Sequence, residues 1–455
     1  MKVKKFYFLP ATLFSVLFLA SSCSNKKAPV ENKKDISNRN DKTDIKKVDR
    51  KILKNKSKVI WDDKITIGYK TSNFGFEKIQ PADNKSQKDK FLELLTKRFK
   101  EFQQKDETLR KLPSVSFELK RRYQDNQLYN DLKANNSENV DLGIVSYSLF
   151  SSSLKNDEDY NNLLPIIAQT STLKFKWYDG ASVDDFAYYV DGKSNDKLRK
   201  LADKQNDTQF KKYEYPEWYK YESELKWDGS KYKLFHDEND TAFTKHSAIL
   251  ISGDDAKRGE IISAWENKNW DKFKSFGLIY EDKQTDKKYK YHYVLLAWHF
   301  NKSIEQISRD IKSRTNLNVL KVGNMKYGFN VSVNNKSYHI GFDEAGAFSW
   351  TKSEKNSKNY VAANYPKSHI RNLIYTNPVP NDLVISRNGL DIKQKKLLIK
   401  ALTSLSIDEN IFGHYTGYNR FHELSFENFK RMLSFQKFAE SSTTDYKELK
   451  KPDFK

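Results

Sequence analysis

A single cysteine, Cys23, stands in the 455 residues of this chain, which excludes a disulfide framework and any cysteine-rich zinc site. Glycine (16) and proline (10) are too scarce for a collagen-like or low-complexity protein. Long apolar runs are missing beyond the N-terminal segment, and that rules out a multi-span membrane protein. There is no GxxxxGK[ST] loop, GxGxxG turn, HExxH helix, GxSxG elbow or EF-hand loop. The histidines (236, 246, 292, 299, 339, 369, 414 and 422) are scattered without the spacing of zinc ligands, so no metal site is expected. Carboxylates are abundant, and nothing singles out a catalytic pair. No cofactor and no enzymatic activity are expected.

Charge is present in quantity. Lys and Arg total 81 against 60 Asp and Glu, a formal net charge of +21. Only 14 of the basic residues are Arg, and the 67 Lys are spread along the whole chain. Nucleic-acid binders gather Arg and Lys on one face. Diffuse lysine reads as a solvated surface that confers solubility and a general attraction for anions, so no specific nucleic-acid partner is expected. Hydrophobic residues make up 37 % and aromatics 14 %. Each buried ring removes roughly 150–250 Å² from water, so the chain can build the cores of two large lobes.

The N-terminus carries the most specific local signal. Lys2, Lys4 and Lys5 precede an apolar stretch, Phe6 to Ala20, shorter than the about 20 residues a spanning helix needs. It runs into Leu19-Ala20-Ser21-Ser22-Cys23, which resembles a bacterial lipoprotein cleavage box. The expectation is a signal peptide over 1–22 and lipidation of Cys23, placing the protein on the extracellular face of the cell membrane. The alternative is an ordinary signal peptide beside a free or buried cysteine. Residues 23–58 are polar and lack periodicity, and read as a disordered tether.

The body alternates strands and helices. Ile65–Tyr69, Val115–Leu119 and Asp141–Val145 read as strands, with a helix carrying Phe91, Leu95 and Phe99 between the first two. This order implies a parallel sheet in an α/β lobe. Further strands are expected at Ala248–Ile251, Phe276–Ile279, Phe329–Val333, Ser337–Phe342 and Leu383–Ser386, with Asn334-Asn335 as a hairpin turn. Ser303 with Gln306 reads as a capping box, Asp391 as a helix cap, and 426–439 as a last helix. Tyr213–Trp227 looks like an aromatic insertion, and no internal repeat is visible.

Three segments carry a family resemblance: Asp141-Leu142-Gly143-Ile144-Val145-Ser146-Tyr147, Gly341-Phe342-Asp343-Glu344-Ala345-Gly346-Ala347-Phe348, and Asn377-Pro378-Val379-Pro380-Asn381-Asp382-Leu383-Val384-Ile385-Ser386. With them the chain resembles the phosphonate- and phosphate-type substrate-binding proteins of ABC importers, and among these the mycoplasmal transport lipoproteins of extracytoplasmic thiamine-binding type. The resemblance implies an α/β, two-lobed periplasmic-binding-protein-like (type II) fold with a hinge of two crossover strands. It assigns 59–163 and 364–455 to lobe 1 and 164–363 to lobe 2. It implies a monomeric solute-binding protein that serves an ABC permease, with thiamine, thiamine pyrophosphate or another phosphate or phosphonate compound as ligand.

Ligands of such folds sit at the carboxyl ends of strands, against helix N-termini. Thr71 and Ser72 follow the first strand, and Ser146, Tyr147 and Ser148 follow the third; each is a candidate contact or a plain helix cap. Asp343 and Glu344 are candidates for a ligand amino group, or caps. The family's Ser/Thr-Ser-Gly phosphonate loop is replaced here by Glu281–Tyr289, which has no glycine, and Thr285, Lys287 or Lys288 could supply contacts instead. Trp177, Tyr178 and Trp350 are candidates for stacking on a cationic or flat ring, with packing as the alternative. A surface-interaction protein or adhesin on the same fold is the competing reading.

Overall fold

The computed structural model describes residues 61–70, 72, 75–151, 153–154, 157–178, 187–281, 286–313 and 315–441. The signal peptide, the lipidation call on Cys23 and the tether lie outside these residues, as do Thr71 and Thr285.

Strands are numbered in chain order. β1 (Lys64–Tyr69), β2 (Ser116–Arg121), β3 (Leu142–Val145), β4 (Ile166–Phe175), β5 (His236–Ala242), β15 (Leu383–Ser386) and β16 (Arg420–His422) form sheet one. β7 (Ser247–Gly253), β8 (Leu278–Glu281), β9 (Val319–Val322), β12 (Ile340–Glu344) and β13 (His369–Tyr375) form sheet two. Two short ribbons complete the set: β6 (Thr244–Lys245) with β14 (Val379–Pro380), and β10 (Ser332–Val333) with β11 (Lys336–Ser337).

The two sheets repeat one plan. Sheet one runs β2-β1-β3-β15-β4, with β1, β2 and β3 parallel and β15 antiparallel to both its neighbours. Sheet two runs β9-β8-β12-β7-β13, again three parallel strands followed by an antiparallel one. β4 is the longest strand: its β15 ladder ends at Gln169, and from Thr172 it pairs with β5. After β13 the chain returns through 376–382 into β15. The expected boundaries at 163/164 and 363/364 therefore each precede a strand, β4 or β13, that pairs in the sheet of the segment before it.

Helices fill the connections. α1 (Gln87–Lys105) opens on a Ser86–Asp89 capping box and buries Phe91, Leu95 and Phe99 in one stripe. Burying such a side chain is worth about 1.5–3 kcal/mol. α2 (Asp125–Lys133) follows β2, α3 (Lys197–Phe210) packs on β13, and α4 (Asp255–Glu266) follows β7. α5 (Asp286–Phe300) precedes α6 (Ile304–Lys312), which carries the expected Ser303–Gln306 box. α7 (Ile392–Thr403) is capped by Asp391, and α8 (Phe426–Ala439) by Ser425.

Some elements differ from expectation. Residues 325–330 form a tight 3₁₀ turn instead of a strand, leaving only Ser332–Val333 to pair across the Asn334-Asn335 turn. Both turn residues have positive φ (51° and 60°), which asparagine tolerates. The Phe276 strand begins two residues late because Gly277 turns at φ 88°. The 213–227 segment is a packed aromatic block in which Trp218 is fully buried against Phe210, Tyr215, Tyr232 and Phe235.

At the end of sheet one where β1 and β3 begin, Arg387 donates from Nε to Asp141 at 2.7 Å and also pairs with Asp62. Asp141 accepts the Thr66 amide at 2.8 Å, while Asp62 exchanges two hydrogen bonds with the Gln394 side chain. A void of about 10 Å³ in the core beside Ile67, Phe91 and Phe412 is apolar and holds at most one water.

Candidate functional site

The register of sheet one decides what meets at its other end. Leu383 of β15 pairs with Val145 of β3 on one side and Gln169 of β4 on the other. Asp382 and Ser146, one residue beyond that pair, therefore sit side by side, and Lys70 follows the end of the parallel strand β1. Lys70 Nζ lies 2.7 Å from Asp382 Oδ2 and 2.8 Å from Asp125 Oδ1, at the first residue of α2. Ser146 donates to Asp125 Oδ2 at 3.0 Å and its hydroxyl lies 2.7 Å from that of Ser148. Tyr418 donates to Asp382 at 2.9 Å. Burial, and then the Asp382 charge, push the Tyr418 hydroxyl up, so it stays a neutral donor.

β6, β12 and α5 add three groups. Lys245 Nζ is 3.8 Å from Asp382 Oδ1. Glu344 ends β12, is exposed, and its charge is felt by Tyr418. Tyr291 of α5 accepts from Gln436 of α8 at 2.7 Å, and its hydroxyl feels Glu440, Asp382 and Lys70. Lys290 pairs with Glu440 at 2.7 Å. Three carboxylates (Asp125, Asp382, Glu344) thus gather with two ammonium groups (Lys70, Lys245) at the junction of the sheets. Asp125, Asp382 and Lys70 are the buried members, and such charges persist only when paired and hydrogen-bonded, while Glu344 and Lys245 stand open to solvent.

Beside this polar cluster stands an aromatic one. Trp177 stacks on Phe175 at 4.3 Å, and Tyr178 meets Phe175 edge-on at 5.5 Å. Trp177 Nε1 donates to Tyr375 Oη at 2.8 Å. Tyr178 also lies 5.6 Å from His246, whose Nδ1 is 2.7 Å from the Thr376 carbonyl. His236 lies 4.8 Å from Phe175 and 5.3 Å from Trp350. Phe175 is seated over Gly346, where a Cβ would come within 2.2 Å of its ring and where φ is 75°. This fixes the aromatic cluster at the same end of sheet two as Glu344.

The candidates read from sequence fall into four groups. Ser146 and Ser148 lie in the polar cluster, with Glu344 across from it, and Trp177, Tyr178 and Trp350 share the aromatic one. Tyr147 is fully buried, stacks on Phe429 at 5.7 Å and donates to Gln169, which makes it a core residue. Asp343 is buried and accepts from Tyr360 Oη at 2.7 Å and from the Glu344 amide at 2.8 Å. Ser72 lies beside the Tyr69 phenol, which donates to Glu77 at 2.7 Å. Thr71 and Thr285 lie outside the described residues; the backbone of Lys288 is in α5, and its side chain is outside the description. Lys70, Asp125, Asp382, Tyr418 and His236 escaped the sequence reading. Asp382 alone had a signal, its place in the Asn377–Ser386 segment.

The family model of the extracytoplasmic thiamine-binding lipoproteins matches residues 89–437. The chain belongs to that family. Among its relatives is the high affinity transport system protein p37 of Mesomycoplasma hyorhinis, 25 % identical over 434 residues, 95 % of this chain and 98 % of that protein. The protein of the same name from Mycoplasma pneumoniae is 27 % identical over 285 residues, 60 % of this chain and 69 % of that one. The solved structure of Mycoplasma hyorhinis Mh-p37, a proposed thiamine pyrophosphate transporter, superposes with a TM-score of 0.69 at 23 % identity, covering 83 % of this chain and 100 % of that one. The fold is the two-lobed type II binding-protein fold, as the doubled sheet plan requires. Like other extracytoplasmic lipoproteins of transport systems, this family member is a solute-binding protein, and its clusters lie at strand ends, where open α/β sheets take ligands.

Proposed function

We propose that the protein captures thiamine or thiamine pyrophosphate outside the cell and delivers it to an ABC permease. The observation that carries this reading is the pairing of a carboxylate-rich polar cluster with an aromatic one at the junction of the two sheets. Thiamine has a permanently cationic thiazolium and a flat aminopyrimidine. Carboxylates in excess of ammonium groups favour the cation, and aromatic faces contribute about 0.5–2 kcal/mol to a cation–π contact. A free anion would meet the wrong charge balance there. In this reading a phosphate tail is taken by hydroxyls and amides at strand ends and at the start of α5, with Thr71, Ser72, Ser146, Ser148, Thr285 and Lys288 as contacts. Lipidated Cys23 holds the monomer to the membrane, and the lobes, 59–163 with 364–455 and 164–363, close about the connecting strands.

Thermal unfolding with thiamine, its mono- and pyrophosphate, inorganic pyrophosphate and a simple phosphonate tests it. A ligand at 100 times its dissociation constant adds about 2.7 kcal/mol. A clear shift with thiamine compounds and little with inorganic pyrophosphate is expected. No shift with any compound would remove the proposal and favour a surface-interaction role.

A further inference from the structure

The imidazole of His236 differs from the other buried histidines. It is 1 % exposed, and neither ring nitrogen has a hydrogen-bond partner among the described residues. His246 has the Thr376 carbonyl at 2.7 Å, and His299 uses both nitrogens, on Tyr189 and on the Trp265 carbonyl. Burial strips a polar group of water, and only a partner restores what is lost.

Its surroundings restrict what that partner can be. Burial, and then Lys231 and Lys176, hold His236 down at about 3, with Asp228 opposing. At neutral pH the ring is uncharged, with one N–H to donate and one lone pair to accept. The Phe175 ring is tilted by 32° to it, and Trp350 meets it edge-on at 72°. The nearby Lys231 ammonium, 5.7 Å over the Trp350 ring, is committed to Asp228 at 2.7 Å. The other Asp228 oxygen accepts the amides of Ser230 and Lys231 and the Ser230 hydroxyl, each at 2.9 Å. The Lys231–Asp228 pair is therefore neutral and offers no free ammonium to a phosphate; Lys176 is felt at the ring only as a weaker, more distant charge. What remains is an aromatic wall with one donor and one acceptor, the complement of a flat ring that bears both.

The position fits. His236 opens β5 directly opposite Phe175 of β4, and Phe175 rests on Gly346 just past the end of β12. We infer that His236 is the hydrogen-bonding residue of a subsite for a flat nitrogen heterocycle, walled by Phe175 and Trp350 and separate from the Lys70–Asp382 cluster. This rests on the thiamine reading and deepens it: the aminopyrimidine goes to His236, and the cationic ring to the carboxylates.

Titration calorimetry on the full chain with thiamine and thiamine pyrophosphate tests it, comparing wild type with His236→Phe, which keeps the ring and removes both nitrogens. The expected result is at least tenfold weaker binding of both compounds, with an unfolding temperature equal to or above that of wild type because the bare nitrogens are gone. Wild-type affinity in a folded His236→Phe protein overturns the subsite and leaves the thiamine reading standing. Absence of binding to wild type itself overturns both. Should the variant fail to fold, ¹⁵N-labelled histidine in the wild-type chain gives the answer. The His236 ring nitrogens should resonate as unbonded in the free protein and shift when thiamine is added. Ring resonances that thiamine leaves unmoved overturn the subsite.

Discussion

The two clusters at the junction of the sheets are built from opposite materials. On the side of sheet one, Lys70, Asp125, Asp382, Ser146 and Tyr418 form a charged, hydrogen-bonded network. Where the far end of β4 and the start of β5 meet the end of β12, Phe175, Trp177, Tyr178, His236, His246 and Trp350 form an aromatic, uncharged one. The strand ends at the junction thus carry two chemistries, because the strand plan fixes only where strands end and leaves free which residues stand there. A ligand with one charged and one flat neutral end would be read by both.

Acid should separate the two most sharply. Burial holds His236 near about 3 and His246 near about 4, each below the 6.5 of an unfolded chain. The folded state therefore resists their protonation, and their contribution, complete above pH 6.5, is lost as pH falls toward 4. Each can cost up to about 1.4 kcal/mol per pH unit in that window. Denaturant midpoints measured from pH 7 to 4 should fall steeply, and replacing both histidines by Phe should flatten the curve.

Asp382→Ala comes next. It leaves Lys70 short of one partner in a mostly buried setting and should cost about 3–5 kcal/mol in urea unfolding, with ligand binding lost. Gly346→Ala attacks the aromatic side by driving a methyl into Phe175 at a left-handed position. A loss of about 1–3 kcal/mol and weaker binding are expected, whereas unchanged stability would mean that Phe175 is free to move. Ser146→Ala removes one hydroxyl bonded to Asp125 and should cost about 1 kcal/mol of stability. Lys245→Ala is the mildest: at 3.8 Å from Asp382 and half exposed, it should change stability by less than about 1 kcal/mol, and it should raise the affinity for a cation.

Much of the framework was legible because periodicity and caps are local. Ser303–Gln306, Asp391, β15 and α8 lie where the pattern puts them. β4 and β13 were not legible: with Gln169, Thr170 and Ser171 in one and Arg371 and Asn372 in the other, they lack a clean apolar alternation and depend on partners far along the chain. The doubled sheet plan left no trace as a sequence repeat, since strand order is set by packing and not by residue identity. At the site, the hydroxyls after β3 announced themselves by following an apolar strand. Lys70 and Asp125 did not, because in a chain that is 31 % charged no single charge stands out until register brings it to its partner. His236 was visible only as one scattered histidine, since a missing hydrogen bond is a property of the folded state.

The Arg387 network has a mechanical consequence. Asp62, one residue after the described body begins, is fastened by Arg387 on one side and by Gln394 on the other. This anchorage lies at the starting end of β1 and β3, while Lys70, Ser146 and Asp382 lie at the finishing end. A pull on the chain ahead of Trp61 is therefore taken up as shear along β1, which is bonded to β2 on one side and β3 on the other, and through α7. The load is spent before it reaches the strand ends that hold the site, so the body can be tugged from its N-terminal side without its grip being loosened.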